Sequence, residues 1–122
     1  ILKRRDEAAA TYREVLRLEP SNLAATRDLA WLLATTSGAG SPAAIEALNL
    51  AQVSVRMTHE ADPSAFDALG AALALNGRFA EAAATADRAD ALAAQSGAAA
   101  EMRTAIQARA ALYRQGAVYR EP

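Results

Sequence analysis

The sequence predicts an all-α fold of about six helices, and three observations point there. Helix-forming residues fill the chain between clear breaks, and no segment alternates β-branched and polar residues with the period of two that marks a strand. The breaks are short and rich in Pro, Gly, Ser and Asn. Hydrophobic residues make up 52% of the chain but aromatics only 5%. Most of the apolar content is alanine, so the core must come from close helix approach rather than from bulky side chains.

The elements follow in order. Leu18-Glu19-Pro20-Ser21 ends a first helix, and Ser21 is the expected N-cap of a second over about 22–35. Ser37-Gly38-Ala39-Gly40-Ser41-Pro42 is a loop, with Ser41 capping and Pro42 opening a third helix that runs to about 58. Asp62-Pro63 repeats that cap-then-proline pattern and starts a fourth, which ends near Asn76-Gly77. A fifth covers about 78–95, Ser96-Gly97 breaks it, and a sixth covers about 98–114. In the sixth, Ala99, Met102, Ile106, Ala110 and Tyr113 recur at spacings of three and four and make one apolar stripe, with Arg103, Gln107 and Arg114 away from it. Phe79, the one aromatic in its turn, is expected to be buried.

Six helices with short links make helical hairpins, and the hairpins show a repeat. Phe66-x-x-Leu69-Gly70-x-x-Leu73 is followed by the turn Asn76-Gly77-Arg78-Phe79 and then by Ala82 and Ala86. Leu29-Ala30-x-x-Leu33 is an earlier version of the same start, and Ala8, Tyr12 and Pro20 fit the second half of a unit before that. Pattern and spacing resemble the tetratricopeptide repeat, whose unit is a helix pair of about 34 residues. The likeness covers roughly residues 5 to 95. It is specific in the last unit and weak in the middle one, where Thr26 replaces a large residue and the inter-helix turn is lengthened.

The resemblance implies a right-handed α-solenoid of antiparallel hairpins. Residues 1–20 would be the second helix of a truncated repeat, 21–60 and 61–96 two complete repeats, and 97–122 a capping helix and tail. It also implies a concave groove lined by the first helix of each hairpin. The matching places are Ala24, Arg27, Trp31 and Thr35 in one hairpin and Ser64, Asp67, Ala71 and Leu75 in the next. Arg27, Trp31, Thr35, Asp67, Ala71 and Leu75 are the candidate partner-binding residues. Trp31 beside small Ala71 is expected to form an aromatic shelf, and Arg27 to grip a carboxylate. The plainer alternatives are Trp31 packed under the 36–42 loop or against the first half-repeat, and Arg27 paired with Asp67. Some members of the family hold a peptide carboxylate with Lys and Asn residues along the groove, and those residue types are missing at the matching places here.

Chemistry finds no foothold. His59, Glu60 and Asp62 read as a solvated loop near a helix C-terminus, where a cation is favoured. The 37–41 loop lacks the Gly-Lys-Ser/Thr of a phosphate-binding loop and reads as a lengthened turn. We therefore expect no catalytic residue, cofactor or metal. A formal net charge of −1 argues against nucleic acid as a partner, and no run is apolar enough for direct membrane insertion. Twelve arginines against one lysine, with abundant alanine, suggest a GC-rich bacterial source. The chain starts in mid-pattern, so we expect part of a larger protein. The expected function is a non-catalytic scaffold that takes a protein or peptide partner in the groove. The rivals are a structural docking subunit or tail of a large assembly, and an accessory region of a transferase.

Overall fold

The computed structural model describes residues 2–121, which form six α-helices and, among the described residues, no strand. They are α1 (Leu2–Leu18), α2 (Leu23–Thr36), α3 (Pro42–Met57), α4 (Pro63–Leu75), α5 (Phe79–Gln95) and α6 (Ala100–Arg114). Each helix packs on the next in sequence, and α2 also packs on α4.

Local chemistry sets the helix starts. Ser41 precedes Pro42, and its Oγ accepts the Ala44 N–H at 3.2 Å. Asp62 precedes Pro63, and its Oδ1 accepts the Ser64 N–H at 2.9 Å. In each case a side-chain oxygen satisfies an N–H that has no partner within the helix, and proline fills a position that needs no donor. The start of α2 departs from the sequence reading: Asn22, not Ser21, is the cap, with its Oδ1 accepting from Ala25 N–H at 2.9 Å. Glu19 holds the Asn22 side chain from the other end, accepting from its Nδ2 at 2.9 Å.

The centre of the molecule is α4. Its sequence PSAFDALGAALAL is apolar nearly all round, and a helix of that kind has to be enclosed by neighbours. Ala65, Phe66, Ala68 and every residue from 70 to 75 are buried. On one side α4 meets α5 and α6 through Phe66, Leu73, Ala82, Ala86, Ile106, Ala110 and Tyr113. On the other, Ala68, Ala71 and Ala72 meet Leu29, Leu33, Ala47 and Ala51 of α2 and α3. Gly70 marks the closest approach. A Cβ there would stand 3.4 Å from the Ala82 carbonyl oxygen and 3.5 Å from the Tyr113 ring, which leaves room for a methyl and nothing larger.

Two expectations change in detail. Phe79 is half-buried rather than buried, because as the first residue of α5 it packs on the α4–α6 core while fronting a cleft it shares with Leu75 and Val118. The stripe of α6 is buried at Ile106, Ala110 and Tyr113, but Ala99 is exposed, since it precedes the helix instead of belonging to it. The polar face of α6 reaches back to α5. Arg103 Nε and Gln107 Nε2 donate to Asp90 at 2.9 and 3.2 Å, and Arg114 pairs with Asp87.

Candidate binding face

The face built by α2, α4 and α6 starts from three side chains spaced along those helices: Trp31, Asp67 and Arg109. Arg109 flanks the buried stripe of α6, three residues after Ile106 and four before Tyr113, so it projects from the edge of the packed surface toward α4. There its Nε and Nη2 donate to Asp67 Oδ1 and Oδ2 at 2.9 and 2.6 Å. This is a two-pronged pair with only 12% and 13% of the side chains exposed. Such forked, charge-assisted bonds fix orientation as well as binding. Burial nevertheless pushes the Asp67 carboxyl above its usual range, and the Arg109 hydrogen bond opposes that shift without cancelling it.

The Arg109 guanidinium also packs against two adjoining rings. It lies 5.1 Å from the centroid of Trp31 and 5.1 Å from that of Tyr119, and the two rings stand 5.7 Å apart at 37°. A cation over each ring face contributes about 0.5–2 kcal/mol, more as water is excluded. Tyr119 belongs to the segment that follows α6, and the end of α6 explains how it gets there. Gly116 adopts φ +73°, a left-handed conformation that glycine takes at little cost. Gly116 N–H donates to the Tyr113 carbonyl and Ala117 N–H to that of Leu112, both at 3.0 Å. This reversal at the helix end throws residues 117–121 back over the face.

The segment then runs to the C-terminal end of α2, where helix carbonyls lack partners of their own. Glu121 N–H donates to Thr35 O at 3.2 Å, Arg120 donates to Ser37 O, and Arg5 Nη2 of α1 donates to Glu121 O at 3.2 Å. Val118 lies in a cleft with Leu75 and Phe79.

The six residues singled out from the sequence therefore divide. Arg27, Trp31 and Asp67 line one cleft of about 240 Å³, together with Asp28 and Ser64. Arg27 spans from α2 to the cap of α4, donating from Nη1 to Asp62 at 3.1 Å and from Nε to Asp28 at 3.5 Å, so its partners are Asp62 and Asp28 and not Asp67. Thr35, Ala71 and Leu75 do not face an open groove. They are 1%, 0% and 1% exposed. The Thr35 hydroxyl donates to the Trp31 carbonyl at 2.8 Å, as β-hydroxyls often do within helices, and the carbonyl of Thr35 is taken by the tail. Leu75 lies beside Val118, and Ala71 belongs to the α2–α4 core. Trp31 packs neither under the 36–42 loop nor on α1 alone; Tyr119 and Arg109 cover its ring. Sequence reasoning missed Arg109 and Tyr119. The position of Arg109 beside the α6 stripe, and an aromatic just beyond the helix-ending Gly116, are the signals that point to them.

His59 and Glu60 end α3 in left-handed conformations, φ +53° and +58°, and both are exposed. Among the described residues no group of three or more His, Asp or Glu is placed to hold a metal ion, and no helix is long and apolar enough to cross a membrane. Comparison with protein-family models, with curated proteins and with solved structures yields no match.

Proposed function

We propose that this chain is a non-catalytic, protein-binding helical scaffold of the tetratricopeptide type, whose α2–α4–α6 face receives an extended segment of a partner. One observation carries this: the face already holds a non-helical segment, residues 117–121, through ring packing, a cation and a main-chain hydrogen bond. Peptide-binding grooves use these same elements, main-chain bonds for affinity and a pocketed aromatic for selectivity. The cleft beside Trp31, lined by Arg27, Asp28 and Ser64, extends the face beyond the tail. Partners captured from source-cell lysate by the parent protein, by Trp31→Ala and by Arg27→Ala provide the test. A partner retained by the parent and lost by both variants, with helical circular dichroism unchanged, supports the face. Equal capture by all three would sink it.

A docking role on another surface rests on Leu18, Ile45 and Val53, which are 65%, 59% and 37% exposed. Ile45 and Val53 lie eight residues apart on α3, along its outward side. Single exposed apolar residues are ordinary, so this role ranks second. It predicts that Ile45→Glu, and neither face variant, abolishes capture.

A further inference from the structure

We infer that residues 117–121 are a displaceable strap standing in for the partner, and that the partner segment is an extended peptide presenting an aromatic ring to the slot that Tyr119 fills against the Trp31–Arg109 pair. This rests on the α2–α4–α6 face being the binding site. Two features separate the strap from ordinary core. What lies beneath it is buried: Thr35 and Leu75 are 1% exposed, and the Arg109–Asp67 pair is nearly so. None of residues 117–121 is itself buried, and Arg120 and Glu121 are exposed. The strap is also held at few points. Among the described residues, and beyond the helix-end bond of Ala117, its main chain is fixed only at Glu121, by Thr35 and by Arg5. Side-chain anchorage comes from Tyr119 on Trp31 and Arg109, and from Arg120 on Ser37. Segments with few buried contacts and few protected hydrogen bonds open at a small fraction of the global stability.

The contacts define what can replace the strap. A flat ring is favoured, because the slot offers the ring of Trp31 and, in contact with it, the guanidinium of Arg109, both within reach of one ring. A backbone N–H two residues after the ring is required by the free lone pair at the end of α2, which Glu121 N–H now meets. A backbone carbonyl at that same place meets Arg5. These requirements describe an extended aromatic-x-x peptide and not a helix, whose N–H groups are already engaged within it.

Trp31 is the only tryptophan in the chain, so its emission reports the slot directly. The experiment uses full-length parent and Tyr119→Ala, titrated with the capped pentapeptide Ala-Val-Tyr-Arg-Glu and with the same peptide carrying alanine in place of tyrosine. A tethered segment competes at an effective concentration on the order of millimolar, so the titration runs to ~10 mM. Tyr119→Ala should keep its helical circular dichroism, and its Trp31 emission should shift to the red. The tyrosine peptide should reverse that shift, the alanine peptide should not, and the parent should need at least ~10-fold more peptide for any response. Loss of helix in Tyr119→Ala would make the strap structural and overturn the inference. So would failure of the tyrosine peptide to reverse the shift, or an equal response from the parent. If the peptide fails while a captured partner still depends on Trp31 and Arg27, the strap inference falls and the scaffold stands. If the peptide succeeds while no partner depends on those residues, the strap is displaceable but the scaffold reading falls, and the inference that rests on it falls too.

Discussion

The two ends of the α2–α4–α6 face make their ion pairs under opposite conditions. At the tail end, Asp67 and Arg109 meet in two-pronged geometry with about an eighth of each side chain exposed, roofed by Tyr119. At the other end, Arg27 reaches Asp62 through a single bond of 3.1 Å, with 28% and 20% of the side chains exposed beside an open cleft. The same residue types thus do different physical work. The enclosed pair is a fixed part of the fold that depends on its roof, because charges stripped of water need all their partners. The open pair leaves room beside it, in the cleft that Arg27 lines with Trp31, Ser64 and Asp67.

Removing one partner at each end gives the largest contrast. Asp67→Ala leaves Arg109 enclosed with rings but no carboxylate, and should cost about 3 kcal/mol of unfolding free energy. Arg27→Ala should cost about 1 kcal/mol or less, since Asp62 can turn to water. Urea denaturation of the two variants reads both numbers. Comparable losses would mean that the roof formed by residues 117–121 does not enclose the first pair in solution. Double substitution of Asp67 and Arg109 by apolar residues should recover much of the loss, as expected when the penalty lies in the orphaned charge rather than in the missing bond.

A smaller effect of opposite sign lies under the same roof. Tyr113 is 1% exposed and its hydroxyl has no hydrogen-bond partner among the described residues. Burial raises the pKa of that hydroxyl, so it stays protonated and simply carries a desolvation cost. Tyr113→Phe should therefore stabilise the fold by about 1 kcal/mol, within the range for an unmet buried polar group. A destabilised Tyr113→Phe would show that the hydroxyl is engaged after all. It would also shift attention to Gly70, whose hydrogen side faces that ring.

Which parts of this were readable beforehand follows from how far the relevant partners are apart in sequence. The caps at Ser41 and Asp62 bond two or three residues ahead, so short patterns such as Ser-Pro and Asp-Pro reveal them. The cap of α2 is Asn22 and not the expected Ser21, because both are good caps and Glu19 favours Asn22 by holding its amide. The enclosure of α4 was legible in a sequence that is apolar apart from Ser64 and Asp67. The filled end of the face was not. Arg109 and Asp67 are 42 positions apart, and Trp31 meets Tyr119 across most of the chain. No local periodicity encodes such meetings. The second depends on Gly116 reversing the chain after α6, and a glycine there is equally consistent with a segment that points away into solvent.

The finest test concerns protonation, where the enclosed pair should behave unlike a pair at the surface. Asp90 accepts from Arg103 and Gln107 on the outer side of α5 and α6, and these hydrogen bonds hold its carboxyl below the usual aspartate range. Asp67 has an equally good arginine, yet burial raises its carboxyl above that range. The consequences for stability have opposite signs. For Asp90 the folded state binds its proton less tightly than the unfolded chain. Its contribution is therefore present above the ordinary aspartate value and lost as pH falls through the lowered one. For Asp67 the folded state binds the proton more tightly, so its contribution is present below the ordinary value and lost as pH rises through the raised one. Carbon-detected NMR titration of the side-chain carboxyls should place the Asp67 midpoint above that of Asp90, and Tyr119→Ala, by admitting water to the pair, should bring the Asp67 midpoint down. If Asp67 titrates at or below Asp90 in the parent, attraction to Arg109 outweighs the loss of water, and the enclosed pair has the electrostatic character of a pair at the surface.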